Sequence, residues 1–179
     1  RSKKYKEGLI NTIYDMEKKF PKFLEMLNII IKRFPNEIFY LRPHPLEKIE
    51  TWHKHFSKFE NVKISKDGNI NEQLVNSKLL IHNSCTSAFH SFLYKIPTVS
   101  YEPVECISDY GEPANKMSER VKKVDDLCDL IKEINNNDFK NFNLEQKNNL
   151  FDYKVYRPNS KYSSEIIVEE WKKISDTSS

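Results

Sequence analysis

Apolar residues recur at helical spacing between Ile13 and Phe34, where Phe20, Phe23, Leu24, Leu27, Ile30, Ile31 and Phe34 fall on one stripe. Pro21 interrupts the stripe. The pattern therefore predicts either a short helix ending near Phe20 followed by one with Pro21 in its first turn, or a single helix kinked there. Beyond Pro35-Asn36, Glu37 to Arg42 reads as a short buried strand that stops at Pro43. Leu46 to Phe59 reads as a helix, and Asn61 to Ser65 as a strand with alternating apolar positions. Lys66-Asp67-Gly68 is a turn, after which Asn69 or Asn71 caps a short helix through Asn76 with Glu72 favouring its N-terminus. Lys78 to His82 is a third strand, Asn83-Ser84 opens a helix running to about Tyr94, and Pro97 to Tyr101 is a fourth strand.

After Tyr101 the signals weaken. Glu102 to Ser118 reads as a long loop with Pro103, Gly111 and Pro113, followed by a helix near Asp125 to Ile134 and a turn or small linker over residues 135–138. Ser164 to Ile174 reads as a closing helix with Ile167, Val168 and Trp171 facing inward, and the last residues are expected to fray. Strands alternating with helices imply right-handed crossovers and a mainly parallel sheet with helices on both faces, an α/β fold in which ligands bind beyond the carboxyl ends of the strands. The 179 residues fit one domain.

Charge narrows the partners. With 29 basic and 26 acidic residues the net charge is +3, too balanced for a duplex nucleic-acid binder, and the lysines alternate with glutamates as on solvated helical faces. Cys85, Cys106 and Cys128 form no CxxC pair, so neither a zinc site nor a disulfide framework is expected, and no metal ligand set is assigned. The chain shows no apolar run of membrane-spanning length and no signal-peptide pattern, from which a cytoplasmic location is expected, with peripheral membrane association through a partner compatible.

The candidate chemistry lies in two turns that follow predicted strands. In Arg42-Pro43-His44-Pro45 the prolines restrict the backbone on either side of His44, and a preset donor beside Arg42 suits a phosphate. The alternative is an Arg42 paired with a surface carboxylate and a His44 that only follows a loop. In Asn83-Ser84-Cys85-Thr86-Ser87 the helix start offers unpaired N–H groups, and the hydroxyls of Ser84, Thr86 and Ser87 add donors; the alternative is that Ser84 or Thr86 only caps the helix. Asp67 and Glu102 are candidate acceptors for ribose or sugar hydroxyls, against the plainer roles of turn residue and solvated loop residue. His82 reads as a partly buried strand-end histidine, and His53 and His55 as surface residues beside Trp52. Cys85 lies at a helix start but lacks a paired base.

Arg42-Pro43-His44-Pro45-Leu46-Glu47 together with Ile81 to Ser87 and Pro97 to Tyr101 resembles the nucleotide-binding half of bacterial surface-carbohydrate glycosyltransferases of the two-domain GT-B kind, including capsule Kdo transferases, polysialyltransferases and related sialyltransferases. The resemblance covers roughly Phe20 to Pro103. It implies a Rossmann-like domain, the C-terminal half of the enzyme, in which His44 with Arg42 serves the leaving nucleotide and His44, Pro45, Asn83, Ser84, Thr86 and Ser87 hold its phosphate. His90 and Ile96 stand where related sequences often carry Glu and Gly, which leaves His90 as a candidate contact to ribose or sugar. It further implies a CMP-sugar donor with no other cofactor, a glycan or glycolipid acceptor, and an N-terminal domain or partner supplying the acceptor site, this chain being a fragment of the larger protein.

Two other functions are weighed. Non-hydrolysing UDP-N-acetylglucosamine 2-epimerases share the architecture but use a Ser-Gly-Gly turn followed by paired glutamates, and the serine-rich turn here has neither the glycines nor paired glutamates after it. A nucleotide-sensing or scaffolding domain in polysaccharide assembly needs no general base. The absence of an Asp-x-Asp pair favours a monophosphate donor.

Overall fold

The computed structural model describes residues 3–107 and 111–137, together with residues 165, 168 and 169. The chain divides into two compact units, residues 1–142 and 143–179. The first unit opens with α1 (Lys3–Arg33), β1 (Phe39–Leu41), α2 (Ile49–Phe56), β2 (Val62–Ile64), α3 (Ile70–Val75) and β3 (Leu80–His82). It continues with α4 (Ser87–Leu93), β4 (Thr98–Tyr101), α5 (Glu112–Lys116), β5 (Glu119–Val121) and α6 (Val124–Asn135). In the second unit Glu165, Val168 and Glu169 are helical and Val168 is 49% exposed, which corrects its inward placement; Ile167, Trp171 and the tail lie outside the described residues.

β1 and β2 pair in parallel with Leu41 opposite Ile64, and β3, β4 and β5 form a second parallel sheet in that order, with His82 opposite Ser100 and Ser100 opposite Arg120. The mixed α/β class and the parallel pairing are as the alternation predicts. The predicted single sheet of four strands is instead two short sheets joined through one apolar core. All four residues of β4 are buried, as expected of a strand covered on both faces. Val99 and Tyr101 join the core with α1 and α6, while Thr98 and Ser100 alternate onto the opposite side.

α1 is one 31-residue helix that runs through Pro21. It is anchored on both sides of the proline, and this offsets the lost backbone hydrogen bond. Before it, buried Asp15 accepts from the Ile107 N–H at 3.0 Å; after it, Met26, Leu27, Ile30 and Ile31 are the centre of the core. The C-terminus of α1 is closed by Asn61, whose Nδ2 donates to the carbonyls of Ile31, Phe34 and Glu37 at 3.2 to 3.3 Å. Trp52 of α2 meets Phe20 edge-on at 6.0 Å.

α5 and β5 fall in the stretch read as a long loop. The cause is tertiary: α5 has five residues, and β5 buries only Val121 while it takes its ladder from β4. Asn69 caps α3, its side chain accepting from the Asn71 N–H. No helix among the described residues is long and apolar enough to cross a membrane.

Candidate functional site

The turn after β1 is built from its own side chains. Glu47 accepts from the His44 N–H at 2.8 Å, the Glu47 N–H donates to the His44 carbonyl at 2.9 Å, and the Leu46 N–H donates to His44 Nδ1 at 3.2 Å. A nitrogen that accepts carries no proton, so the neutral ring holds its proton on Nε2 as the remaining donor. His44 and Pro45 are exposed. Lys66 fastens the outer edge of the turn by donating to the carbonyls of Pro45 and Glu47.

Among the described residues Arg42 pairs with no carboxylate. Its Nη1 donates to the Asp67 carbonyl at 2.8 Å and to Gln73 Oε1 at 3.3 Å, and its Nη2 donates to the Gly68 carbonyl at 2.6 Å. The guanidinium thus holds the turn after β2 and the middle of α3. Asp67, exposed, is itself shaped by Ser65, whose hydroxyl accepts from the Asp67 N–H at 2.9 Å.

α3 links this group to the second turn. His90 of α4, exposed, donates from Nδ1 to Asn71 Oδ1 at 2.9 Å, which leaves Nε2 as an acceptor in the neutral ring. The Arg42 turn, the Asp67-Gly68 turn and α4 therefore converge on α3.

The turn after β3 departs from its expected form. The helix was expected to open at Asn83-Ser84, but α4 begins at Ser87, and Ser84 is left-handed with φ 58°. Asn83 Nδ2 donates to the Tyr101 carbonyl at 2.9 Å, tying the ends of β3 and β4. The Ser84 N–H donates to Asn115 Oδ1 at 3.1 Å, and the Ser84 hydroxyl donates to Asn83 Oδ1 at 3.2 Å and accepts from Asn115 Nδ2 at 3.4 Å. The Cys85 N–H donates to His82 Nδ1 at 3.2 Å. Ser87 is buried and its hydroxyl donates to Cys85 Sγ at 3.0 Å. Neither Ser84 nor Thr86 caps the helix through its side chain: Thr86 occupies the cap position in right-handed conformation without a capping bond. The donors that the turn does not use internally include the Thr86 hydroxyl and the N–H groups of Thr86 and Ser87.

Behind this turn His82 is 4% exposed and is held in one tautomer. Its Nε2–H donates to Ser118 Oγ at 2.6 Å, and Ser118 donates to the Ala114 carbonyl at 3.0 Å. Burial lowers its pKa from 6.5 to about 4, against the raising effect of Glu102, so the ring is neutral at pH 7. This is the buried strand-end role expected of it. His53 is exposed and His55 half-buried, with Trp52 buried beside them.

Glu102, at the exit of β4, is gripped by Arg120 of β5: Nε donates to both carboxylate oxygens at 3.0 Å and Nη2 to one at 2.5 Å. Arg120 also donates to Glu112 at 3.1 Å. Together with Asn115, Lys19 and Lys122 these residues line a polar cleft of about 320 Å³. Glu102 thus lies by this cleft and is already bridged, while Arg42 and His90 reach α3 through Gln73 and Asn71. Among the described residues no group of three or more His, Cys, Asp or Glu is placed to hold a metal ion.

Asn115, Gly111, Lys66 and Arg120 were not singled out as site residues from the sequence. Gly111-Glu112-Pro113 does carry a helix-start signal, a glycine followed by an acidic residue and a proline in the first turn, from which α5 could have been found. Compared with models of protein families, with curated proteins and with solved structures, the chain matches none.

Proposed function

We propose that the chain is the donor-binding domain of a glycosyltransferase that uses a CMP-activated sugar of Kdo or sialic type, in the Rossmann-like C-terminal half of a GT-B enzyme. The observation that carries this reading is the preset His44, whose Nδ1 is occupied by the Leu46 N–H so that Nε2–H faces outward from a turn tied to α3. The phosphate would lie between His44 Nε2 and the unused donors of Thr86 and Ser87. Developing charge on the leaving nucleotide is then met by donors that need no reorganisation, which is the main way such a site lowers a barrier. Arg42 contributes its charge nearby while its donors hold the Asp67-Gly68 turn. Asn83 and Ser84 shape the second turn, Pro45 fixes the first, and Asp67 and His90 flank the space that ribose or sugar would occupy. Acceptor and further catalytic groups belong to a partner domain on this reading.

A second reading, a nucleotide-binding scaffold domain without transfer activity, is favoured by one observation: Glu102 is bridged by Arg120 and is not poised as a base. Calorimetric titration with CMP, CDP, UDP and ADP separates the possibilities. CMP-selective binding that is lost in both His44→Ala and Thr86→Ala supports the donor site. A preference for UDP points to the epimerase class. Folded protein that binds none of the four removes the proposal.

A further inference from the structure

Ser84 occupies a left-handed conformation that costs any residue with a Cβ, and its own turn braces it only in part, through its hydroxyl to Asn83 Oδ1 and the Cys85 N–H to His82 Nδ1. The remaining bonds come from α5. Asn115, 6% exposed, grips Ser84 twice: its Oδ1 accepts from the Ser84 N–H at 3.1 Å and its Nδ2 donates to the Ser84 hydroxyl at 3.4 Å. Asn115 is itself fixed, its N–H donating to the Gly111 carbonyl at 3.0 Å and its own carbonyl accepting from Ser118 at 3.0 Å. Gly111 lies directly against Ser84, so α5 presents both a pair of hydrogen-bonding groups and a flat backbone surface to this residue.

We propose that Asn115 is a positioning residue for the anion-binding turn. It rests on the donor-site reading above and names a residue that acts through Ser84 and not on the ligand. By taking the Ser84 N–H it holds that residue left-handed and so sets the direction in which the chain leaves β3 for α4, where the unused donors of Thr86 and Ser87 lie. Cys85 follows with its N–H donated to His82 Nδ1, and right-handed Thr86 comes next with its own N–H and hydroxyl unused within the turn. The same carboxamide lines the polar cleft beside Glu102 and Arg120, so it stands at the junction of the turn and the cleft.

The test uses the intact chain with Asn115→Leu, which removes both bonds at similar volume, and Asn115→Asp. CMP affinity is measured by calorimetry at about pH 7 and about pH 5, with amide hydrogen exchange at Ser84 and Ser100. Asn115→Leu is expected to bind CMP roughly tenfold or more weakly. Asn115→Asp is expected to be weak at neutral pH, where a carboxylate cannot donate to Ser84 Oγ and repels the anion. It should recover toward wild type on acidification, because burial at this 6%-exposed position raises the introduced carboxyl above its ordinary value of about 4 and the acid again has a donor and an acceptor; unfolding free energy in the same buffers should change much less than affinity, and a parallel change would overturn the positioning role. If Asn115→Leu does not fold, this pH-dependent recovery decides. Wild-type affinity in both variants overturns the positioning role and leaves the donor site standing. If the wild type binds no CMP, the donor-site reading fails, and Ser84 exchange decides the remainder: rapid exchange at Ser84 in a variant that still protects Ser100 retains the role of Asn115, and unchanged exchange removes it.

Discussion

Gly111 and Ser84 pack backbone to side chain: a Cβ built on Gly111 would stand 2.7 Å from Ser84 Oγ and 2.8 Å from its Cα, and Gly111 itself has φ 84°. Steric room and backbone conformation exclude a side chain together. Gly111→Ala should therefore cost about 2 to 3 kcal/mol in urea denaturation. A change below about 0.5 kcal/mol, typical of a surface substitution, would show that the contact yields easily.

Arg42 is expected to matter for stability as well as for any ligand. Arg42→Ala removes three donations, to Asp67, Gly68 and Gln73. About 1 to 2 kcal/mol should be lost from this half-buried position. Arg42→Lys should recover only part, because an ammonium lacks the planar fork that spans two neighbouring carbonyls. Equal stability of the Lys variant and the wild type would refute the fork geometry.

His44 should behave oppositely. His44→Asn keeps an acceptor for the Leu46 N–H, so its unfolding free energy should change by less than about 1 kcal/mol. CMP affinity should nevertheless fall roughly tenfold, because the outward Nε2–H is gone. Retained affinity in this variant would place the ligand elsewhere.

The pH dependence follows from His82, whose pKa is lowered by burial from 6.5 to about 4. Above pH 6.5 the ring is neutral in both folded and unfolded chains, and the full stability is present. Between 6.5 and about 4 only the unfolded chain takes up this proton, so stability falls as pH falls through that window. The loss is at most about 3 kcal/mol. Thermal unfolding across this range should show the decline, and His82→Gln should flatten it; an unaltered slope would assign the effect to other groups.

Two serine hydroxyls on the same side of the second sheet should give opposite signs. Ser100 Oγ is buried without a hydrogen-bond partner among the described residues, so Ser100→Ala should be neutral or stabilising by up to about 1 kcal/mol. Ser118 accepts from His82 Nε2–H, so Ser118→Ala strands a buried donor and should cost about 1 to 3 kcal/mol. Chemical denaturation of the pair checks both, and a destabilised Ser100→Ala would mean that the hydroxyl has a partner after all.

The elements that were legible in the sequence are those that carry their own signal. β1 to β4 are apolar runs bounded by Pro, Asn or Gly, the caps and turns around Asn69 and Gly68 follow local chemistry, and the stripe from Phe20 to Phe34 is the core face of α1. The strands are shorter than the apolar runs suggest, because Glu37 donates back to the Phe34 carbonyl and, among the described residues, Ser65 keeps a single backbone bond, from its N–H to the Leu41 carbonyl. At the candidate site, the Arg42 and Asn83 turns were legible as strand-end punctuation. The hydrogen-bond roles within them were not.

The sequence by itself determined the α/β class, the alternation of elements, the position of both turns and the burial of His82, because periodicity, proline and glycine act over a few residues. Only the tertiary structure decided which donors those turns keep for a ligand. Asn115 meets Ser84 across 31 residues, Arg42 meets Gly68 across 26, and Arg120 meets Glu102 from the neighbouring strand. Such pairings depend on which strand lies beside which, and a polar side chain looks the same in sequence whether it is free for a ligand or already satisfied by a distant neighbour.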